Sequence, residues 1–364
     1  MGIKRVEERN LEYQDPIPRP PIEPESMNQS ASENDRATVD HWRDTWIRNA
    51  RANKEKFGSF AEKGIHRLYN QWKWQPCIII GAGPSLRFNA HRLKAGELKM
   101  GDKVIESWKG NPGIKVISCL HNFAWLTDLG VKVDLWCTLD AGDIVINEIF
   151  EGGTKDHEFY RKASESQKVL AYIGTNPLFF DNWRGEVNFF NSILPNQSLQ
   201  DAVDEVEVYI PTVSSGGNVL GGCMYIAKAM FGCNPIIFMG ADYCFGKDHQ
   251  FHPWKSKYDK LGRYIRVVDV YGDKSPTWRS YLNFKTHIEL TTLRAPGVYI
   301  NCTEGGLLGA YPEGNIIQIE QMPLEKALEM YRISDHPYMK DTMTKFNENQ
   351  KDKQGNWLPR KVLF

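Results

Sequence analysis

The sequence predicts an α/β fold, a Rossmann-like and mostly parallel sheet with helices on both faces. From residue 76 onward, short apolar runs typical of buried strands alternate with helical patterns, which favours a parallel sheet covered on both sides. Two of the apolar runs also lead into glycine-rich loops, at residues 81–86 and 214–218. Ligands of such folds bind at the carboxyl ends of the strands, so we expect both loops at one ligand-binding edge.

Each predicted element follows from its local pattern. Strands are predicted where short apolar runs are bounded by turn residues, and helices where apolar residues recur every three or four positions. The predicted strands are 77–80, 115–119, 135–139, 168–173, 186–190, 236–239 and 298–301. The predicted helices are 122–130, 219–231 and 276–294.

Composition divides the chain into four segments. The first is rich in proline and polar residues, so it has too little apolar surface to offset the entropy cost of ordering. The second carries Trp42 and Trp46 one helical turn apart, which predicts an amphipathic helix. The segments are a disordered proline-rich arm (1–39), an amphipathic helical segment (40–75), the Rossmann-like domain (76–330) and a C-terminal tail (331–364). The arm and the tail are candidate docking segments for a partner.

The charge balance argues against several classes of partner. Lys plus Arg equals Asp plus Glu at 45 each, so no overall basic field is expected to attract nucleic acid or an anionic membrane. The apolar runs are far shorter than the roughly 20 residues of a membrane span, and the charged N-terminus does not look like a secretory signal. The seven cysteines form no CxxC pair and are expected to be buried, reduced thiols. We expect a cytoplasmic protein without a membrane span.

The first glycine loop is a candidate site for a ligand phosphate. Gly81 and Gly83 let an anion approach the backbone, and Pro84 and Ser85 follow them at the start of a helical pattern. Ser85 can cap that helix or donate to a phosphate oxygen. Leu86 stands where a dinucleotide fingerprint has its third glycine, and the Gly-Lys-Ser/Thr of a P-loop is missing. An ordinary strand-to-helix turn therefore remains an equal alternative.

Further polar residues follow other predicted strands or open helices. Ser215, Gly216 and Gly217 precede a helical pattern, so their backbone N–H groups are candidates for phosphate binding. Asn122 can cap a helix or hold a ligand hydroxyl. Asp140 can bind a ribose or a metal ion, or it can cap the next turn. These residues are therefore candidates for the nucleotide or donor site.

The residues after the strand 236–239 suggest acid–base chemistry. Asp242 follows that strand, and His249 and His252 come soon after it, so either histidine is a candidate general base. Asp242 is a candidate catalytic carboxylate, because it could orient the ring of that histidine. The two histidines could instead bind a metal ion, although spacing specifies no third ligand. Glu304 follows the strand 298–301 and can hold polar groups of a ligand or cap a turn.

The ordered set of motifs resembles the MptE-like family, which includes the motor accessory factor (Maf) proteins and archaeal 6-hydroxymethylpterin diphosphokinases. The layout is also similar to bacterial sialyltransferases that use CMP-sugars, whose Rossmann-like domain begins with a Gly-x-Gly-Pro-Ser loop. The resemblance covers about residues 76–328. The motifs that carry it are GAGPSL (81–86), VKVDLWCTLDAGD (131–143), SSGGN (214–218), GAD (240–242) and NCTEGG (301–306).

The resemblance implies a transferase and leaves two chemistries open. In the favoured one, a sialic-acid-like nonulosonic sugar passes from a CMP-sugar to a hydroxyl of a glycan, protein or small molecule. A histidine is then the base, and no cofactor or metal is obligatory. In the alternative, ATP donates diphosphate to a hydroxymethyl group, with Mg²⁺ near Asp140 and Asp242. A third hypothesis is a non-catalytic nucleotide-binding or scaffold protein.

Overall fold

A nine-stranded, all-parallel sheet forms the centre of the computed structural model, which describes residues 24–193, 205–206, 210–246, 250–256, 264–310 and 318–331. The strands are β1 (Cys77–Ile80), β2 (Gly96–Met100), β3 (Lys103–Trp108), β4 (Lys115–Cys119), β5 (Leu135–Thr138), β6 (Lys168–Tyr172), β7 (Glu186–Ser192), β8 (Thr212–Val213), β9 (Ile236–Met239), β10 (Gln250–His252), β11 (Lys255–Ser256), β12 (Ile265–Val268), β13 (Lys274–Thr277), β14 (Tyr299–Asn301) and β15 (Ile319–Gln321).

The strand order in the large sheet is β15-β14-β9-β1-β4-β5-β6-β7-β8, and every neighbouring pair is parallel. All four residues of β1, β5 and β9 are buried, as expected for strands with both faces covered. The predicted α/β class and the seven predicted strands are therefore confirmed, with shifts of one or two residues at some strand ends. Three short antiparallel hairpins, β2–β3, β10–β11 and β12–β13, lie outside the sheet.

The helices of the described residues are α1 (Pro24–Phe57), α2 (Leu86–Asn89), α3 (Phe123–Leu129), α4 (Ile144–Glu148), α5 (His157–Ser164), α6 (Val219–Tyr225), α7 (Arg279–Arg294) and α8 (Leu324–Met330). Single 3₁₀ turns cover Phe60–Lys63, Ile65–Leu68, Ala90–Leu93, Leu120–Asn122 and Pro177–Asp181, and a π-helical turn, Ile226–Met230, continues α6. None of these helices combines the length and apolar character that a membrane span requires. All seven cysteines are buried free thiols, as predicted.

The chain reverses direction across the sheet at β1. It runs outward from β1 through β4 to β8, and then returns to place β9 on the opposite side of β1. The loops that leave β1 and β9 therefore begin next to each other at the carboxyl edge. This is the topological switch point at which folds of this class bind their ligands.

Helix α1 lies across the carboxyl ends of β5 and β6. The buried Asn53 side chain donates hydrogen bonds to the carbonyls of Ile173 and Thr175, at 2.8 and 2.7 Å. Asn49, one turn earlier, donates to the carbonyls of Ala141 and Gly174. The helix starts at Pro24 and so includes residues 24–39 of the predicted arm. Residues 1–23 and 332–364 are outside the described part of the chain, and the four segment boundaries remain predictions.

Candidate active site

The first glycine loop packs against the end of β9 through Ser85 and Asp242. The Ser85 hydroxyl donates to Asp242 Oδ2 at 2.7 Å, and the Ser85 backbone N–H donates to Oδ1 at 3.2 Å. A Cβ added to Gly83 would lie 1.9 Å from Asp242 Oδ2, and one added to Gly81 would lie 2.5 Å from the carbonyl oxygen of Gly240. The close approach of the two strand ends therefore requires both glycines, whether or not a ligand binds.

Asp242 is a buried acid of raised pKa. Burial raises the pKa, the hydrogen bonds from Ser85 oppose that effect, and the result is a pKa of about 7. Both carboxylate oxygens are bonded within the protein, so this side chain joins two loops of the switch point. No hydrogen bond, ion pair or ring contact found in the described residues connects it with a histidine.

Asn122 links the same glycine loop to the end of β4. Its side-chain N–H₂ donates to the Gly81 carbonyl at 2.8 Å and to Ser118 Oγ at 3.1 Å. The side chain is fully buried, and it makes no capping hydrogen bond to α3. Its Oδ1 is also buried and has no hydrogen-bond partner among the described residues, so its acceptor capacity is unused within this part of the protein.

His121, directly before Asn122, is the centre of a charged cluster. Its Nδ1 lies 3.4 Å from Glu148 Oε1, and its Nε2 lies 2.9 Å from Glu151 Oε2. Burial alone would lower the pKa of the imidazole, but the interactions with Glu148 and Glu151 outweigh burial and raise it to about 9. At neutral pH His121 is therefore a cation held between two carboxylates.

His252 lies beside His121, with ring centroids 4.3 Å apart and ring planes inclined by 31°. Its Nδ1 is 2.7 Å from the carbonyl oxygen of Ala82, in the middle of the first glycine loop. Because a carbonyl oxygen only accepts hydrogen bonds, Nδ1 carries the proton, and Nε2 is the basic nitrogen of the neutral ring. Trp254 stacks on the ring with centroids 5.1 Å apart. The other histidine predicted as a base, His249, lies outside the described residues.

Asp140, at the end of β5, interacts electrostatically with Glu148 and His121. Its Oδ1 accepts a hydrogen bond of 3.0 Å from the Gly142 N–H. Burial raises its pKa and the negative charge of Glu148 raises it further, whereas the Gly142 N–H and His121 lower it, for a value of about 6. The carboxylate is partly exposed, so contact with a ligand is feasible.

The second glycine loop is covered by α7. Gly216 and Gly217 have φ values of +60° and +82°, which other residues adopt only with strain. A Cβ on Gly216 would lie 2.1 Å from the His287 ring, and one on Gly217 would lie 3.1 Å from Phe284. Ser215 Oγ accepts a hydrogen bond of 3.3 Å from the Gly217 N–H. These two glycines are thus needed for the turn and for its contact with α7.

Glu304 has partners of its own away from the histidine pair. Its Oε1 accepts hydrogen bonds from Asn89 Nδ2 at 3.2 Å and from the Leu324 N–H, which opens α8, at 3.0 Å. Its φ of +57° marks a tight turn after β14. The carboxylate therefore joins the first glycine loop's helix to α8.

The structure thus brings together four parts predicted from sequence: the first glycine loop, Asn122, Asp140 and His252. Four further residues of the site were not predicted from the sequence, namely His121, Glu148, Glu151 and Trp254. The signal for His121 was its position two residues after β4, whereas Glu148 and Glu151 lie in a segment with no recognisable motif. No group of three or more histidine, cysteine or acidic side chains in the described ranges is arranged to hold a metal ion.

The two carboxylates suggested for Mg²⁺ differ in fit. Asp140 is partly exposed and could contact a metal–phosphate complex. Asp242 is buried, and both of its oxygens accept hydrogen bonds from Ser85, so it is the less accessible of the two.

The fold and this edge of the sheet define a Rossmann-like α/β protein with a histidine–carboxylate cluster at its switch point. The model of the family described as 6-hydroxymethylpterin diphosphokinase MptE-like matches residues 51–248, more than half of the chain. The protein therefore belongs to the MptE-like family, as its motifs predicted, and membership supports a transferase-like function.

No curated protein sequence matches the chain. Among solved structures it is similar to that of the MAf glycosyltransferase from Magnetospirillum magneticum AMB-1, with a TM-score of 0.47 and 15% sequence identity. The similarity covers 79% of this chain and 41% of that chain, so the protein spans less than half the length of that glycosyltransferase.

Proposed function

We propose that the protein transfers part of a nucleotide-activated donor to an acceptor hydroxyl, with His252 as the general base. The observation that carries the proposal is the 2.7 Å contact between His252 Nδ1 and the Ala82 carbonyl. It fixes a basic Nε2 beside the glycine loop that we expect to approach the donor phosphate. Asn122 Oδ1, next to the same loop, would accept a hydrogen bond from the nucleoside.

The favoured donor is a CMP-activated, sialic-acid-like sugar. The acceptor hydroxyl gives its proton to His252 Nε2, and its oxygen forms a bond to the sugar carbon attached to CMP. The bond between that carbon and the phosphate oxygen breaks, and CMP leaves with the electron pair. As the resemblance to CMP-sugar transferases implies, no metal is obligatory for this reaction.

A second candidate is transfer of diphosphate from ATP, which the description of the matched family favours. Mg²⁺ would neutralise charge on the phosphates, and Asp140 is the carboxylate that fits such a complex. His252 would again accept the proton of the acceptor hydroxyl. The two candidates share the base and differ in donor and metal dependence.

Calorimetry with CMP, CTP and ATP, each with Mg²⁺ and with EDTA, separates the candidates. We expect CMP to bind equally well in EDTA, and transfer from a CMP-sugar to a panel of hydroxyl acceptors to be detectable by mass spectrometry. Strictly Mg²⁺-dependent ATP binding would instead favour diphosphate transfer. Binding of none of the three nucleotides would overturn both candidates and leave the scaffold hypothesis.

The role of His252 is tested by His252→Gln. Loss of a general base lowers turnover by about 10²- to 10⁴-fold while donor binding is kept. The matched control is His91→Gln, because His91 also packs on an aromatic ring, that of Trp108 at 5.0 Å, but lies outside the cluster. Equal turnover of His252→Gln and the wild-type protein would exclude His252 as the base.

A further inference from the structure

The ring of His252 is enclosed by specific contacts on several sides. Its Nδ1 is bonded to the Ala82 carbonyl, Trp254 stacks on it at 5.1 Å and 14°, and Phe251 meets it edge-on at 4.1 Å and 62°. The His121 ring lies 4.3 Å away. His121 is the one charged side chain found in ring contact with His252 in the described part of the chain.

His121 has a carboxylate close to each of its nitrogens, with a hydrogen bond at Nδ1 and an ion-pair contact without hydrogen-bond geometry at Nε2. Glu148 contacts Nδ1 and Glu151 contacts Nε2, and both carboxylates come from α4 and the turn after it. A ring held at two opposite positions has little rotational freedom. Both nitrogens face carboxylates and the ring is mostly buried, so we expect His121 to influence the reaction through the ring that it contacts.

We propose that His121 is a positioning residue for His252: the Glu148–His121–Glu151 cluster holds a cationic ring against His252, orients that ring and disfavours its protonation. The inference rests on the proposed function, in which His252 must be a neutral base. Two positive charges on rings in contact repel each other, so a charged His121 keeps the second proton off His252. The hydrogen bond to Ala82 and the contact with His121 together direct Nε2 of His252.

Several titratable groups act on this pair. Asp140, Glu148 and Glu151 face His121, and His252 faces it from β10. The carboxylates hold His121 in its charged form, and Asp140 adds a negative charge that changes near pH 6. The test must therefore separate the titration of His121 from that of Asp140.

NMR of the full-length protein with ¹⁵N-labelled histidine gives that separation without any substrate. We expect the His252 ring to show the Nδ1–H tautomer and a chemical-shift inflection near pH 9, where His121 loses its proton. In Glu151→Gln, which keeps both rings, this inflection should move at least one pH unit lower. A His252 spectrum without any inflection near pH 9 would overturn the proposal.

Kinetics gives the second readout once a donor is known. His121→Gln should lower kcat about 10-fold or more, leave KM within about 2-fold, and shift the acid limb of the kcat profile at least one pH unit higher. His91→Gln should change none of these values. An unchanged acid limb in His121→Gln would refute the positioning role. If circular dichroism shows that His121→Gln is unfolded, Glu151→Gln takes its place in this test. Failure of every donor would refute the proposed function while the NMR result still decides the role of His121.

Discussion

The Ser85 side chain and backbone both donate to the carboxylate of Asp242, at 2.7 and 3.2 Å, and so tie the loop after β1 to the end of β9. Sequence alone suggested a phosphate role for Ser85 and a catalytic role for Asp242. In the structure the two residues engage each other at the switch point. Their first importance is therefore to hold the geometry of the site, and substitutions there must be judged for stability before activity.

Gly83→Ala should destabilise the protein by about 3 kcal/mol or more, because the new Cβ would lie 1.9 Å from Asp242 Oδ2 and 2.7 Å from the Gly240 carbonyl oxygen. Urea unfolding measures the change. Gly222→Ala is the matched control, since its nearest neighbour would be a Leu139 methyl at an ordinary 3.5 Å. We expect the control to change stability by less than about 1 kcal/mol. Equal stability of the two variants would show that Gly83 is not sterically required.

Asp242→Asn should remove a pH-dependent loss of folding stability. The folded-state pKa of Asp242, about 7, is above its ordinary value of 3.8, so the folded protein binds more protons than the unfolded chain between those values. Stability therefore falls as pH rises from about 4 to 7, by up to about 4 kcal/mol, and the penalty persists above pH 7. The free energy of unfolding of both proteins is measured at pH 4.5 and pH 8. Relative to the wild type, Asp242→Asn should be more stable at pH 8 than at pH 4.5. A pH-independent difference would contradict the raised pKa.

His121→Gln should change the pH dependence of stability in a different, more alkaline range. The pKa of His121 is raised to about 9, so its contribution to stability is complete below about pH 6.5 and is lost as pH rises through 9. The wild-type protein should lose about 2–3 kcal/mol across this range relative to the variant. Urea unfolding at pH 6 and pH 9.5 measures the loss. If the stability of the wild type relative to the variant increased with rising pH, the ion pairs of His121 with Glu148 and Glu151 would not stabilise the folded protein.

The fold could be predicted because its signal is local. The runs that form β1, β4 and β9 are apolar enough to be identified as buried parallel strands, and the loops that follow them mark the ligand edge. The partner of His121 could not be predicted in the same way. Glu148 is 27 residues away, and only the packing of α4 over the end of β4 brings the two together. Likewise, nothing local shows that Asp242 turns towards Ser85, 157 residues earlier, rather than towards a histidine.

Asn53→Ala tests how α1 is attached to the site. An amphipathic helix bound only by its apolar stripe would lose little from this change, because an exposed asparagine is replaceable by alanine. In the structure, Asn53 is fully buried and donates to the carbonyls of Ile173 and Thr175 at the end of β6.

Removal of the Asn53 amide leaves those two buried carbonyls without its donors, so we expect a loss of about 2–3 kcal/mol in urea unfolding. Glu55→Ala, two residues along the same helix and exposed, should change stability by less than about 0.5 kcal/mol. If Asn53→Ala were as stable as Glu55→Ala, α1 would not be anchored through its polar side chains. If it lost the expected stability and also exposed the amides of the loop after β6 to faster hydrogen exchange, α1 would be an integral wall of the carboxyl edge rather than an external helix.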